Sequence, residues 1–136
     1  MAAANELPAV KGEIGFQPSR NIQSLKDSPG TSEAAVSEVK IQSPGVSASF
    51  LELDLASLDS VKNAAQLVAS SSDRLDLLFL NAGIMGHPAA LTQDGYEIHF
   101  GTNHLGYALL LKLLTTLLVI TSHRYDVRVV SLTSWG

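Results

Sequence analysis

The stretch Leu75–Leu80, LDLLFL, is apolar on both faces of an extended chain. An extended segment of that kind belongs in the middle of a parallel sheet, covered above and below. The run stops abruptly at Asn81-Ala82-Gly83. Two nearly bare residues at a strand end let a flat ligand lie against the backbone. The Asn81 amide can tie neighbouring strand ends together. Parallel neighbours cannot be joined by tight turns, so each requires a crossover of a dozen or more residues.

The flanking sequence has crossovers of that length. SEAAVSEVK, Ser32–Lys40, places Ala35, Val36 and Val39 at helical spacing, and Ser43-Pro44-Gly45 ends it. ASFLELDL, Ala48–Leu55, alternates Phe50, Glu52 and Asp54 against Leu51, Leu53 and Leu55, which predicts a strand. Ser57–Ser71 predicts an amphipathic helix, with Val61, Ala64, Ala65 and Val68 at i, i+3, i+4 and i+7 and Asp59 near its positive end. Gly95–Ile120 reads as one long helix capped by Thr92 or Asp94. VRVVSL, Val127–Leu132, is a further strand. The fold class is α/β with parallel strands in right-handed units. Residues 1–32 carry Pro8, Pro18 and Pro29 with little patterning and read as irregular. Residues 33–136 form the predicted domain.

Composition narrows the partners. The 136 residues carry a net charge of -4, so no cationic surplus exists to meet phosphates, and nucleic acid is not expected. Without cysteine there is no disulfide frame and no thiolate metal site. The N-terminus shows no basic segment followed by an apolar block, so no secretory signal is expected and the cytoplasm is the expected location. The most apolar segment, Tyr107–Ser122, contains Lys112 and falls short of the roughly 20 residues of a spanning helix, so a buried helix is expected rather than a transmembrane one.

Ligands in open parallel sheets bind beyond the carboxyl ends of the strands. Here those ends are Asp54-Leu55, Asn81-Ala82-Gly83 and Leu132-Thr133-Ser134. Together with their surroundings they resemble the short-chain dehydrogenase/reductase family, in its retinol-dehydrogenase-like and protochlorophyllide-reductase-like branches. LNAG at Leu80–Gly83 is similar to the family's Asn-Asn-Ala-Gly element, with Leu80 in place of the first Asn. DGYEIHFGTNHLGYALL resembles its central helix, and RVVSLTS the strand before its catalytic Ser. The resemblance covers about residues 33–136. It implies a partial Rossmann-like, doubly wound sheet and NAD or NADP as cofactor, with a small-molecule carbonyl or alcohol as substrate. It also implies an adenine contact at Asp54 and Leu55, a cofactor wall at Asn81, Ala82 and Gly83, and catalytic roles for Asn103 and Ser134. Homo-oligomers are common in such a family.

Each residue has a plainer role open to it. Asp54 could be a solvated strand-end carboxylate, Asn81 a turn cap and Gly83 a turn glycine with positive φ. Asn103 could be a core amide with its partners found, and Ser134 an ordinary strand-end hydroxyl. The four histidines predict no metal site, since His99 and His104, five apart, miss the shared face of an i, i+4 pair.

Two family elements have no match. The family's proton carrier is a Tyr with Lys four residues on, and Tyr96, Tyr107 and Tyr125 are followed at that spacing by Phe100, Leu111 and Val129. AVKGEIGFQ, Ala9–Gln17, is the one echo of the glycine-rich turn, with Glu13 where a glycine stands in the family. A carboxylate there would repel a pyrophosphate. The expectation is a family fragment without catalysis as written. The alternative is a non-catalytic α/β interaction module that uses a sheet edge or the Leu109–Ile120 helix.

Overall fold

The computed structural model describes residues 49–133, with residues 13–14, 37 and 40–41. Its elements are β1 (Glu13–Ile14), α1 (Leu58–Ser71), β2 (Leu77–Leu80), α2 (Ile98–Phe100), a π-helical turn (Gly101–Leu105), α3 (Gly106–Ser122) and β3 (Arg128–Ser131). The three strands form one parallel sheet in the order β1-β2-β3. This is a partial Rossmann-like α/β fold. The expected helix at Ser32–Lys40 is present at Ser37, Lys40 and Ile41; the rest of it lies outside the described residues.

β2 is the centre of the sheet, as its apolar run requires. It pairs with β1 through Glu13 to Leu77 and Ile14 to Leu78, and with β3 from Leu77–Arg128 to Leu80–Ser131. Leu78 and Leu80 turn inward and are buried, while Leu77 and Phe79 are half-buried. The inward pair meets Val61, Ala65 and Val68 of α1 and Leu110, Leu114 and Leu118 of α3. The 3.6-residue period puts each helical set on one stripe, so two helices cover one sheet face. The short β1, inside the segment read as irregular, occupies the β2 edge that would otherwise stand bare.

The strand expected at Ala48–Leu55 does not form: residues 49–54 have no regular structure, and Leu55-Ala56 is a turn. A strand needs a neighbour for its backbone N–H and C=O groups, and the described sheet places none beside this segment. Its alternation survives as packing, with Leu51 and Leu53 against the core and Phe50 exposed. A turn built on Asp54 then leads into α1. The Asp54 carboxylate accepts from Ala56 N–H at 2.8 Å, and the Ser57 hydroxyl caps the helix by accepting from Ser60 N–H at 3.3 Å.

The long helix starts later than Thr92 or Asp94. Those side chains are used elsewhere: Thr92 Oγ1 accepts from Tyr96 N–H, and Asp94 Oδ2 accepts from Leu58 N–H at 2.8 Å, bracing the start of α1. Glu97 is the cap instead, accepting from His99 and Phe100 N–H at 3.1 and 2.7 Å. The Phe100 N–H bond, then the His99 ring and N–H, hold the Glu97 carboxyl down at about 2, against an ordinary 4.5. A depressed carboxylate stabilises the fold above its unfolded value and stops doing so as pH falls through its folded one. The start of α2 is therefore expected to loosen between about pH 4.5 and 2. Amide shifts of His99 and Phe100 followed through that window should move together, and Glu97→Gln should flatten the response.

The continuous helical stretch Ile98–Ser122 spans 25 residues. It extends beyond the apolar run seen in the sequence and, by length and composition alone, could cross a membrane. In the structure one stripe of it packs on the core, with Leu110 and Leu114 almost fully buried, while Val119 and Ile120 are exposed. The opposite end of the sheet is clamped by Arg74, which chelates Asp76 at 2.8 and 3.0 Å and lies 3.6 Å over the Tyr125 ring.

Candidate functional site

The π-helical turn Gly101–Leu105 is where the pieces meet. One extra residue per turn swings side chains off the regular helical register, and such turns recur at functional sites. Three loops dock on this turn and the first residues of α3. The turn after residue 54 touches Gly106, where an added Cβ would stand 2.6 Å from the Leu55 carbonyl oxygen. Thr92 and Tyr96 pack on Gly101, leaving no room for a Cβ. The segment beyond β2 is held by Asn103 and Tyr107.

Asn103 makes a matched pair of bonds to one residue. Its Oδ1 accepts from Ile84 N–H and its Nδ2 donates to Ile84 C=O, both at 2.9 Å. Gly83 lies against the same amide, with an added Cβ placed 3.1 Å from Asn103 Oδ1. The amide expected in an apolar helix is thus exposed, with its oxygen and one of its two N–H groups bonded to the loop backbone. The Tyr107 hydroxyl donates to the Ala82 carbonyl. Burial pushes this phenol up to about 12. It keeps its proton at neutral pH and acts as a donor, which separates it from a proton-transferring tyrosine. Tyr107→Phe is expected to cost about 0.5–1.5 kcal/mol, the net worth of one hydrogen bond. Urea unfolding would read the loss.

The expected site residues fall as follows. Leu55 is buried on Gly106, and Ala82, Gly83 and Asn103 are in direct or adjacent contact. Asp54, half-exposed, spends Oδ1 on its own turn and has Gln93 Nε2 3.5 Å from Oδ2. Asn81 is exposed, and its side chain bonds to no other described residue. Ser134 lies outside the described residues. Gly83 and Leu55 have ordinary backbone; positive φ occurs at Gly86 and Gly95. The last bond beyond β3, Leu132 N–H to Leu80 C=O at 3.0 Å, brings Leu132 beside the residue before Asn81. Ala82, Gly83 and Ile84 thus lie against Asn103 and Tyr107 at the start of the long helix. Asn81 retains free donors and an acceptor, and Asp54 retains lone pairs, which suits the hydroxyl-rich ends of a dinucleotide.

Tyr107, Gly101 and Gly106 were missed by sequence reasoning. Two glycines bracketing an Asn inside an apolar helix were the available signal, since glycine there costs about 1 kcal/mol against alanine unless close approach demands it. Among the described residues no cluster of three metal-ligating groups exists.

Residues 19–135 match the family described as short chain dehydrogenase. The chain belongs to the short-chain dehydrogenase/reductase family, whose general chemistry is oxidoreduction. Among its relatives is the short-chain dehydrogenase/reductase prx1 of Penicillium roqueforti, 46% identical over 88 residues, covering 64% of this chain and 26% of the relative. Retinol dehydrogenase 13 of Homo sapiens is 40% identical over 82 residues, covering 60% and 25%. Retinol dehydrogenase 14 of Homo sapiens is 52% identical over 67 residues, covering 49% and 20%. The chain thus spans about a quarter of the length of the curated relatives it matches.

Proposed function

We propose that these residues supply the central part of a nicotinamide-dinucleotide site in an oxidoreductase acting on a carbonyl or alcohol. The observation that carries this reading is the pair of hydrogen bonds between Asn103 and Ile84, which holds the segment beyond β2 against the π turn. NAD or NADP supplies hydride chemistry when bound. Asp54 and Leu55 would meet the adenine end, and Asn81, Ala82 and Gly83 would line the middle. Asn103 and Ser134 would stand on the catalytic side. Asn103, tied to Ile84 through its oxygen and one N–H, would position Ile84 and keeps its second Nδ2–H free for the reacting groups.

The 136-residue chain taken alone is proposed to be without turnover, because no tyrosine in it has a lysine four residues on and Glu13 stands in its one echo of the glycine-rich turn. Trp135 follows Ser134 directly, so its fluorescence reports on that neighbourhood. Titration with NADP and with NAD should quench or shift it saturably while hydride transfer to an added carbonyl stays at background. A flat titration of a chain with a folded far-UV spectrum contradicts the reading.

A second reading has its own observation. All four residues of β3 are exposed, including Val129 and Val130, and α3 exposes Leu113, Val119 and Ile120. An open edge of this sort suits strand addition or pairing with another copy, which would make the chain an interaction module. Concentration-dependent sedimentation with a flat cofactor titration would favour it.

A further inference from the structure

Between the anchors at Ile84 and Ala90 the chain forms a strap, residues 85–89, of which every residue is exposed. Its ends are fixed. Asn103 holds Ile84, and Ala90 C=O accepts from Ile98 N–H at 3.0 Å. Gly86, at φ +67°, gives the strap a position where the chain can reverse freely, and an added Cβ would meet nothing within 4 Å. One bond ties the middle of the strap to the helix: His87 N–H donates to His99 Nε2 at 3.3 Å.

That bond dictates the state of the imidazole. Backbone N–H only donates, so His99 Nε2 carries no proton. The ring proton is then on Nδ1, which faces Glu97 Oε1 at 2.9 Å. A neutral imidazole satisfies both neighbours at once. An imidazolium keeps its bond to Glu97 and has no lone pair left for His87. The His87 ring adds to the effect. Its Nδ1 donates to Pro88 C=O at 2.8 Å, and the ring stands edge-on to His99 at 6.4 Å between centroids. Protonating it as well would put two cations side by side. The third titratable ring nearby, His104, stacks on Phe100 at 5.2 Å.

We propose that His99 is a proton-operated clasp: neutral, it holds the strap at His87; protonated, it releases residues 85–89 while Glu97 keeps the ring in place. Histidine is the side chain suited to such a change between pH 5 and 8. The strap follows on Asn81–Gly83 and Ile84 in the chain.

NMR on the full chain tests this without any ligand. Between pH 8 and 5 the His87 amide proton should move upfield with the same midpoint as the His99 ring carbons, and amide protection at residue 87 should fall severalfold. The Ile84 and Ile98 amides should stay put. His87→Ala keeps the donating N–H, and in it the residue-87 amide should still follow the His99 ring. His99→Gln offers a pH-independent acceptor, so the response should vanish. An amide that ignores the His99 ring, or that stops titrating in His87→Ala, overturns the clasp.

Discussion

Leu114→Ala is expected to lower the stability of this chain by about 2–5 kcal/mol, the range for emptying a well-packed leucine site. Leu114 is fully buried and belongs to the cluster that joins α1, β2 and α3. That cluster draws on two helices and a strand, Val61 and Leu78 among its members, so the void is expected to persist. Small domains hold only about 5–15 kcal/mol in total, so the variant should sit near its unfolding transition at moderate temperature. Urea unfolding should show a large drop in midpoint at unchanged slope. Leu113→Ala, one residue away and 41% exposed, is the control. It should change stability by no more than about 0.5 kcal/mol, as surface substitutions do.

Gly106→Ala is expected to destabilise although alanine is the better helix former. Helix propensity favours the substitution by about 1 kcal/mol. Against it, the new Cβ would lie 2.6 Å from the Leu55 carbonyl oxygen, and 3.1 and 3.2 Å from its Cβ and Cδ2. The nearest obstacle is backbone, in a turn tied down by Asp54 and Ser57, so it cannot swing aside as a side chain would. Overpacking of that sort costs about 1–3 kcal/mol. The clash therefore wins, and the turn after Asp54 moves away from the π turn. The variant should show a lower unfolding midpoint and altered amide shifts at Leu55 and Ala56, with the Arg74–Tyr125 clamp undisturbed. A stabilised variant would mean that Leu55 does not rest on α3 in solution.

The parts of the fold readable from sequence are those where one local pattern carries the answer. α1 was legible because its buried residues repeat at helical spacing and Ser57 stands before them as a cap. β2 was legible because LDLLFL has no polar face to give to water. The parts that escaped depend on distant partners. The alternation at Ala48–Leu55 promised a strand, yet strand formation needs a neighbour that local pattern does not reveal. Asp94 looked like the cap of its own helix but serves Leu58, 36 residues away. β1 was invisible because two residues of backbone pairing leave no hydrophobic signature. Around the candidate site, Asn103 and Asn81–Gly83 stand out in the sequence as polar or bare residues beside apolar runs. Tyr107 was not, since a tyrosine in an apolar helix looks like core until its hydroxyl is seen to reach Ala82. The π turn has no local code beyond its flanking glycines.

The proposed cofactor site requires the turn at Leu55, the segment Ala82–Gly83 and Asn103 to line a single slot for a dinucleotide. Amide shift mapping of the folded chain during addition of NADP tests it most directly. Leu55, Ala82, Gly83 and Asn103 should shift as one set with a common saturation curve, while Arg74 and Tyr125 stay still. Shifts confined to the Arg74–Tyr125 end, or four amides that move independently of one another, would contradict it.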